Sequence, residues 1–243
     1  MNTMARITKK GVLSGGVGDL VYVTNTEFPY ARQKPADVKQ TERTKKAARN
    51  FGWVSGQDRK YREQLKRQLN LVTSNRYAAK HRGRMEKALS GIALSNMDGD
   101  GQNLGQPAAL TGYNFNAHLL WQEATQIYPE FTIKGREMQC SLPCLKARRE
   151  IVFPKGANTA QLRLDAFTVN PTLPQVKVNL LSTYTVEVSG SKVLPPEVWK
   201  VDLPEEKAWL VVTGTVIFGT GTAVQTIPFQ GSSVYLWARV IGE

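Results

Sequence analysis

The sequence predicts an α+β fold in which an N-terminal β-hairpin and basic helices precede an antiparallel β-sandwich. A glycine-rich segment with short apolar runs comes first, and helical apolar stripes among basic residues follow it. Short alternating runs separated by turn residues fill the remainder, as is typical of a sandwich. With 243 residues the chain can bury a sizeable core. We assign residues 1–130 to the hairpin arm and basic helical region and residues 131–243 to the sandwich domain.

The N-terminal segment predicts a hairpin that needs a partner. Glycine-rich residues 11–18 lead into an apolar run at 19–23, and a second run follows at 28–32 after a polar turn. A two-stranded hairpin is marginal alone in water, so it should pack on its own helices or on a neighbouring subunit. Such an arm could add its strand to a neighbour's sheet. The candidate assembly residues are Gly15, Gly16, Gly18, Leu20, Tyr22 and Tyr30.

Four helices are predicted between the hairpin and the sandwich. Their approximate ranges are 38–54, 56–72, 76–92 and 113–128, with Gly52 and Gly56 breaking the first from the second. His81 lies on the apolar stripe of the third helix, which predicts a core histidine with a hydrogen bond. His118 receives the same interpretation in the fourth helix.

Alternating apolar and polar runs predict the strands of the sandwich. Dense apolar runs at 209–212 and 215–218 predict central strands, and 234–240 predicts the last one. Between the alternating runs at 176–180 and 185–188 we expect the strand to change the face that it buries.

The positive charge is confined to the first third of the chain. Residues 1–90 hold 20 Lys+Arg and 7 Asp+Glu, whereas residues 91–243 hold 12 and 13. The basic helices could therefore bind nucleic acid without sequence preference, or an acidic protein surface. An ordinary solvated helix face is an equal alternative. The candidate contacts are Arg43, Lys45, Lys46, Arg49, Lys66 and Arg67.

No catalytic, cofactor or metal site is predicted. The glycine-rich segment lacks the Gly-Lys-Ser/Thr of a phosphate loop and the dinucleotide-binding spacing, and no hydrolase motif is present. Residues 96–101 fit part of a calcium loop, but its twelfth position is Pro107. Cys140 and Cys144 lack a second ligand pair, which favours buried free thiols at a strand boundary over a zinc site.

The sequence also indicates the compartment in which we expect the protein. No run of about 18 apolar residues appears, so no membrane partner is expected. The start of the chain lacks the apolar centre of a secretory signal, and two cysteines cannot form a disulfide framework. We therefore expect a cytoplasmic protein, or one within a phage-like particle.

Several weak motifs occur in a particular order along the chain, at residues 15–21, 30–35, 47–51, 115–133, 141–143 and 207–212. In this order they resemble a family of uncharacterised proteins common in Bacteroidota. This resemblance implies a glycine-rich hairpin, helices and a C-terminal sandwich, and because the family has no assigned activity it implies no catalytic residues.

These expectations favour a non-enzymatic structural protein. It would be a self-assembling subunit of a cytoplasmic or phage-like particle or filament, with copies of itself as partners and no cofactor. The alternative is a sequence-independent nucleic-acid-binding protein. An enzyme whose site is built from residues distant in sequence is a third interpretation.

Overall fold

The computed structural model describes residues 6–8, 11–24, 28–34, 40–90, 92, 103–189, 193–220 and 225–242. Its contacts define two compact units, residues 1–48 and residues 49–243. The predicted α+β fold, with an N-terminal hairpin sheet and antiparallel sheets after the helices, is confirmed. The predicted domain boundary between residues 130 and 131 remains a prediction. None of the helices in the described ranges is long and apolar enough to cross a membrane.

The first unit contains a four-stranded antiparallel sheet whose strands lie side by side in chain order. The hairpin predicted from the sequence is its second half, and the glycine-rich segment supplies a further strand. A two-residue loop at Gly18 and Asp19 joins the second strand to the third, and Gly18 has a φ of 57° that favours glycine. The strands are β1 (Arg6–Ile7), β2 (Leu13–Val17), β3 (Leu20–Val23) and β4 (Tyr30–Gln33).

The two long helices are α1 (Glu42–Gln68) and α2 (Tyr77–Ala88). The sequence predicted a break at Gly52 and Gly56, but α1 is continuous through both. A glycine in a helix interior costs only about 1 kcal/mol relative to alanine. Burial of Tyr61 and Leu65 further along the same helix outweighs that cost.

The second unit contains two antiparallel sheets and a short strand pair. In the larger sheet the order is β13, β12, β8, β9, so the dense apolar strand β12 is central as predicted. The larger sheet consists of β8 (Thr159–Val169), β9 (Val178–Ser189), β12 (Ala208–Thr220) and β13 (Gln225–Ile241). The smaller sheet consists of β5 (Glu130–Lys134), β6 (Glu137–Leu142) and β11 (Glu197–Asp202), and β7 (Leu145–Lys146) pairs with β10 (Val193–Leu194).

Two apolar cores lie on opposite faces of the larger sheet. Between the sheets, Leu162 and Leu210 pack in one cluster with Trp199 of the smaller sheet, which forms the predicted sandwich. On the other face, helix residues such as Tyr61 and Met85 share a cluster with strand residues such as Trp209. The larger sheet is therefore covered by helices on one side and by the smaller sheet on the other.

Strand β9 changes the core to which it contributes, as the sequence predicted. Val178 belongs to the helix-side core, whereas Val188 belongs to the sandwich core. The pairing with β8 shifts register between Ala166 and Phe167. A bulge adds one residue on one strand, and because side chains alternate this reverses the buried face.

The helix predicted over 113–128 is wrong. Tyr113 and Phe115 run beside β13, where the Phe115 amide donates to the Ser233 carbonyl at 2.8 Å. Apolar residues here serve different cores, since Phe115 lies in the helix-side core and Trp121 in the sandwich core, so they do not form one helical stripe. The short helical segments among the described residues of this unit are a 3-10 helix (Pro107–Leu110), α3 (Trp121–Ala124) and α4 (Ala147–Glu150).

The two cysteines have different environments. Cys140 is a buried free thiol on β6, as predicted, and burial raises its pKa to about 12. Cys144 is also free but exposed, so the prediction that it is buried is wrong. It lies in the connection between β6 and β7, outside the sandwich core.

Candidate assembly surface

Among the described residues of the N-terminal sheet, one face carries no charged side chain. Residues directly opposite each other in a ladder share a face, and side chains alternate along each strand. The pairs Ile7–Leu13, Val17–Leu20 and Leu20–Gln33 therefore lie on one side. We call this side the apolar face; its members are Ile7, Leu13, Gly15, Val17, Leu20, Tyr22, Ala31 and Gln33.

The apolar face is exposed. The exposed fractions are 73% for Ile7, 54% for Val17, 44% for Leu20 and 43% for Leu13. No described residue of β1 to β4 is buried. An apolar sheet face normally packs against a second layer, and the described residues of this unit provide none. This surface is therefore suited to contact with another molecule.

The opposite face of the same sheet is basic. It contains Arg6 and Arg32 together with Ser14, Val21 and Tyr30, by the same alternation. The sheet is thus divided into an uncharged side and a positively charged side.

The six predicted assembly residues fall on both sides of this sheet. Gly15, Leu20 and Tyr22 lie on the apolar face, whereas Gly16 and Tyr30 lie on the basic one and Gly18 lies in the turn. The prediction missed Ile7, Leu13 and Val17. The alternation of Leu13 and Val17 with Ser14 and Gly16 was the signal that could have identified those two residues.

A sheet edge accompanies the apolar face. The strand order ends at β4, which pairs with β3 and has no further strand partner among the described residues. Backbone N–H and C=O groups on such an edge can pair with a strand of another chain. The N-terminal sheet therefore offers two kinds of contact, an apolar face and a hydrogen-bonding edge.

The six predicted phosphate or acidic-partner contacts are all exposed on α1, but they form two groups. Lys66 and Arg67 lie in the last turn, about 27 Å along the helix from Arg49. Lys45 is already paired with Glu42 at 2.7 Å. The remaining contacts, Arg43, Lys46 and Arg49, lie in the N-terminal part of the helix.

The helices of the second unit are strongly basic as a whole. Residues 49–88 contain eleven Lys+Arg and three Asp+Glu, which gives +8. Of the three carboxylates, Asp58 pairs with Arg62 and Glu63 pairs with Arg59. The surplus positive charge is therefore spread over α1 and α2 rather than concentrated in the predicted positions.

A buried polar network lies inside the helix-side core. The His81 imidazole bridges Asp58, 2.5 Å from its Nδ1, and the Tyr235 hydroxyl, 2.8 Å from its Nε2. Arg62 donates from Nε to the second Asp58 oxygen at 2.8 Å. The core histidine predicted at position 81 is confirmed, whereas His118 is exposed and lies outside any helix, so that prediction is wrong.

This network resembles an acid–base relay in its connectivity, but it is sealed. Asp58, His81 and Tyr235 have no exposed surface. Desolvation lowers the pKa of His81 and raises the pKa of Tyr235. A substrate cannot reach these atoms, so the geometry fits a structural link between α1, α2 and β13.

The described residues were also compared with what a metal site requires. No group of three or more His, Cys, Asp or Glu side chains in the described ranges could hold a metal ion. The partial calcium loop at residues 96–101 lies outside the described residues.

Comparison of the chain with protein-family models, with curated proteins and with solved structures finds no match. The resemblance to the Bacteroidota family therefore stays a prediction.

Proposed function

We propose that the chain is a non-enzymatic structural subunit that associates with copies of itself through the apolar face, as a building block of a particle or filament. The exposure of Ile7, Leu13, Val17 and Leu20 on one uncharged sheet face carries the proposal. Burying such a side chain fully is worth about 1.5–3 kcal/mol, so covering the face favours association.

Charge favours a second copy as the partner. The apolar face has no charged member, so two copies can bring these faces together without like-charge contacts. The basic face could not pair with itself in this way, because Arg6 and Arg32 would meet their own counterparts or each other.

Size indicates that more than one contact is needed. Four strands of two to five residues span at most about 19 by 17 Å, or roughly 300 Å². A stable complex buries about 800 Å² per partner. The edge of β4, which has no further strand partner among the described residues, provides further contact through its backbone groups. A single pair of faces should therefore be weak, and association should depend on concentration.

Deletion of residues 1–40 tests whether the sheet causes assembly. Molar mass is measured by light scattering for the full chain and for the deletion at matched concentrations. We expect the full chain to exceed its 27.0 kDa monomer mass and the deletion to remain monomeric. A deletion that forms the same oligomer would refute a role for the sheet.

The basic helices support a second candidate function, binding of nucleic acid without sequence preference. The +8 charge of residues 49–88 is the observation that favours it. Changing Lys66 and Arg67 to Gln should reduce the slope of log affinity against log salt by about 2, whereas the same change at Lys134 and Lys146 should not. Absence of duplex binding at about 50 mM salt would reject this function.

A further inference from the structure

A cavity of about 260 Å³ opens beside the C-terminal part of α1, within the second unit. Leu65 of α1 and Leu69, which follows the end of the helix, line it together with Phe115. Arg62 and Lys66 of α1 also line it. The cavity therefore combines an apolar wall with two cationic side chains.

The apolar wall is part of the helix-side core. Leu65, Leu69 and Phe115 are each at most 3% exposed and belong to one packed cluster. Core side chains of this kind occupy fixed positions, so the shape of the wall is preformed. A preformed apolar wall with a few polar groups is typical of a small-molecule site.

Arg62 is held in place beside this wall. Its Nε donates to Asp58 at 2.8 Å, and its guanidinium carbon lies 5.9 Å from the centre of the Tyr77 ring. A guanidinium has five N–H donors; the bond to Asp58 uses one of them, and an interaction with the Tyr77 side chain engages another. Donors therefore remain on a side chain that is only 16% exposed.

The balance of charge at the cavity is positive by one. Asp58 compensates Arg62, and burial lowers the pKa of His81, which keeps the imidazole neutral. Lys66 forms no ion pair within the described part of the chain. Lys66 thus adds one uncompensated cation at the rim.

We propose that this cavity binds a small monoanion whose oxyanion group is attached to an apolar body, such as an aromatic carboxylate. The carboxylate lies between Lys66 and the free donors of Arg62, and the ring packs on Leu71 and Tyr77, the half-buried apolar residues of the lining. The volume is slightly below the range of about 300–1,000 Å³ found for drug-sized ligands, which favours a single ring. This site is separate from the proposed assembly function, since it involves only residues of the second unit.

Fluorine NMR of 4-fluorobenzoate with the full chain tests the proposal. We expect a dissociation constant of about 1 mM or tighter. 4-Fluorobenzyl alcohol, which keeps the ring but lacks the charge, and fluoroacetate, which keeps the charge but lacks the ring, should each bind about tenfold more weakly. No binding of 4-fluorobenzoate at about 10 mM, or equal binding of the alcohol, would overturn the proposal.

Three substitutions locate the site. Lys66→Gln should weaken 4-fluorobenzoate binding by about tenfold, whereas Arg67→Gln, the same loss of charge next to it but outside the cavity lining, should change it by less than about twofold. Thr73 is an exposed lining residue, so Thr73→Trp should block the opening and abolish binding without disturbing the core. Equal weakening by Lys66→Gln and Arg67→Gln, or unchanged binding to Thr73→Trp, would overturn the assignment to this cavity.

Discussion

The Nδ1 atom of His81 lies 2.5 Å from the Oδ1 atom of Asp58, and neither side chain has any exposed surface. This contact joins α2 to α1, and the bond from His81 to Tyr235 continues the link to β13. A buried carboxylate is tolerated here because Arg62 and His81 occupy both of its oxygens. Removing one partner of such a buried pair typically costs about 3–5 kcal/mol.

The burial of His81 predicts a stability that falls on acidification. Its pKa in the folded chain lies below the ordinary 6.5, mainly through desolvation and despite the opposing effect of Asp58. As the pH falls, the His81 side chain therefore takes up a proton in the unfolded chain before it does so in the folded chain. Its contribution to the free energy of unfolding is fully present above about pH 6.5 and is lost below it. The other groups facing the imidazole are Asp58, Tyr61, Arg62, Tyr113 and Tyr235.

Denaturant unfolding between about pH 7 and about pH 5.5 measures this dependence. The loss of unfolding free energy on acidification should be smaller in His81→Gln than in the wild type, although the variant starts less stable. His118→Gln, at an exposed position, should keep the wild-type dependence. Equal pH dependence in the wild type and His81→Gln would contradict the expectation.

Gly214 is required because Trp121 packs directly against it. A Cβ atom at position 214 would lie 2.8 Å from Trp121 Cη2 and 2.8 Å from Leu236 Cδ1. Gly214→Ala should therefore destabilise the fold by about 1–3 kcal/mol, measured by denaturant unfolding. Gly83→Ala is the matched control: it has open space on α2 and should stabilise by about 0.5–1 kcal/mol. Destabilisation by both changes alike would refute the packing explanation.

The strands with a clear local pattern, alternating in β8 and continuously apolar in β12, were predictable, and the segments whose residues serve two cores were not. Strands β8 and β12 show their burial in local sequence, so their assignment needs no long-range information. Neither β6 nor β11 was predicted as a strand, and their pairing joins residues about sixty positions apart, which local sequence does not show. A helix was wrongly predicted over residues 113–128 because the apolar residues of this segment contribute to two different cores.

Only part of the apolar face was predictable, again because only some of its residues stand in a clear local pattern. Leu20 and Tyr22 stand in an obvious apolar run, and both lie on the apolar face. Leu13 and Val17 are interleaved with glycines, which favour turns and obscured the alternation of β2. The charge of α1 was evident from composition, but its ion pairs depend on the folded helix.

The predicted boundary at residues 130 and 131 can be tested by truncation. Trp209, Val211 and Tyr235 on the larger sheet are buried in the core that the helices share. The Trp209 indole also donates to the Leu104 carbonyl at 2.7 Å. We expect residues 49–243 to melt cooperatively, and residues 131–243 to lose this transition and bind a hydrophobic dye. A cooperative melt of residues 131–243 would instead support the predicted boundary.

The two thiols should differ in reactivity. Cys144 is exposed and should react with a thiol reagent at about pH 8, whereas burial and a raised pKa protect Cys140. Colorimetric titration should count one thiol in the native chain and two after unfolding, and none in native Cys144→Ser. Two thiols reacting at the same rate in the native chain would contradict the burial of Cys140.

The most direct test of self-assembly places a charge on either side of the same strand. Leu13 lies on the apolar face and Ser14 on the basic face, where it pairs with Arg6. Light scattering over a wide concentration range should show wild type and Ser14→Glu above 27.0 kDa, with the mass rising with concentration. Leu13→Glu should remain close to 27.0 kDa, because burying the charge opposes contact between two apolar faces. A wild type that stays at 27.0 kDa throughout, or a Leu13→Glu chain with the wild-type mass, would contradict assembly through this face.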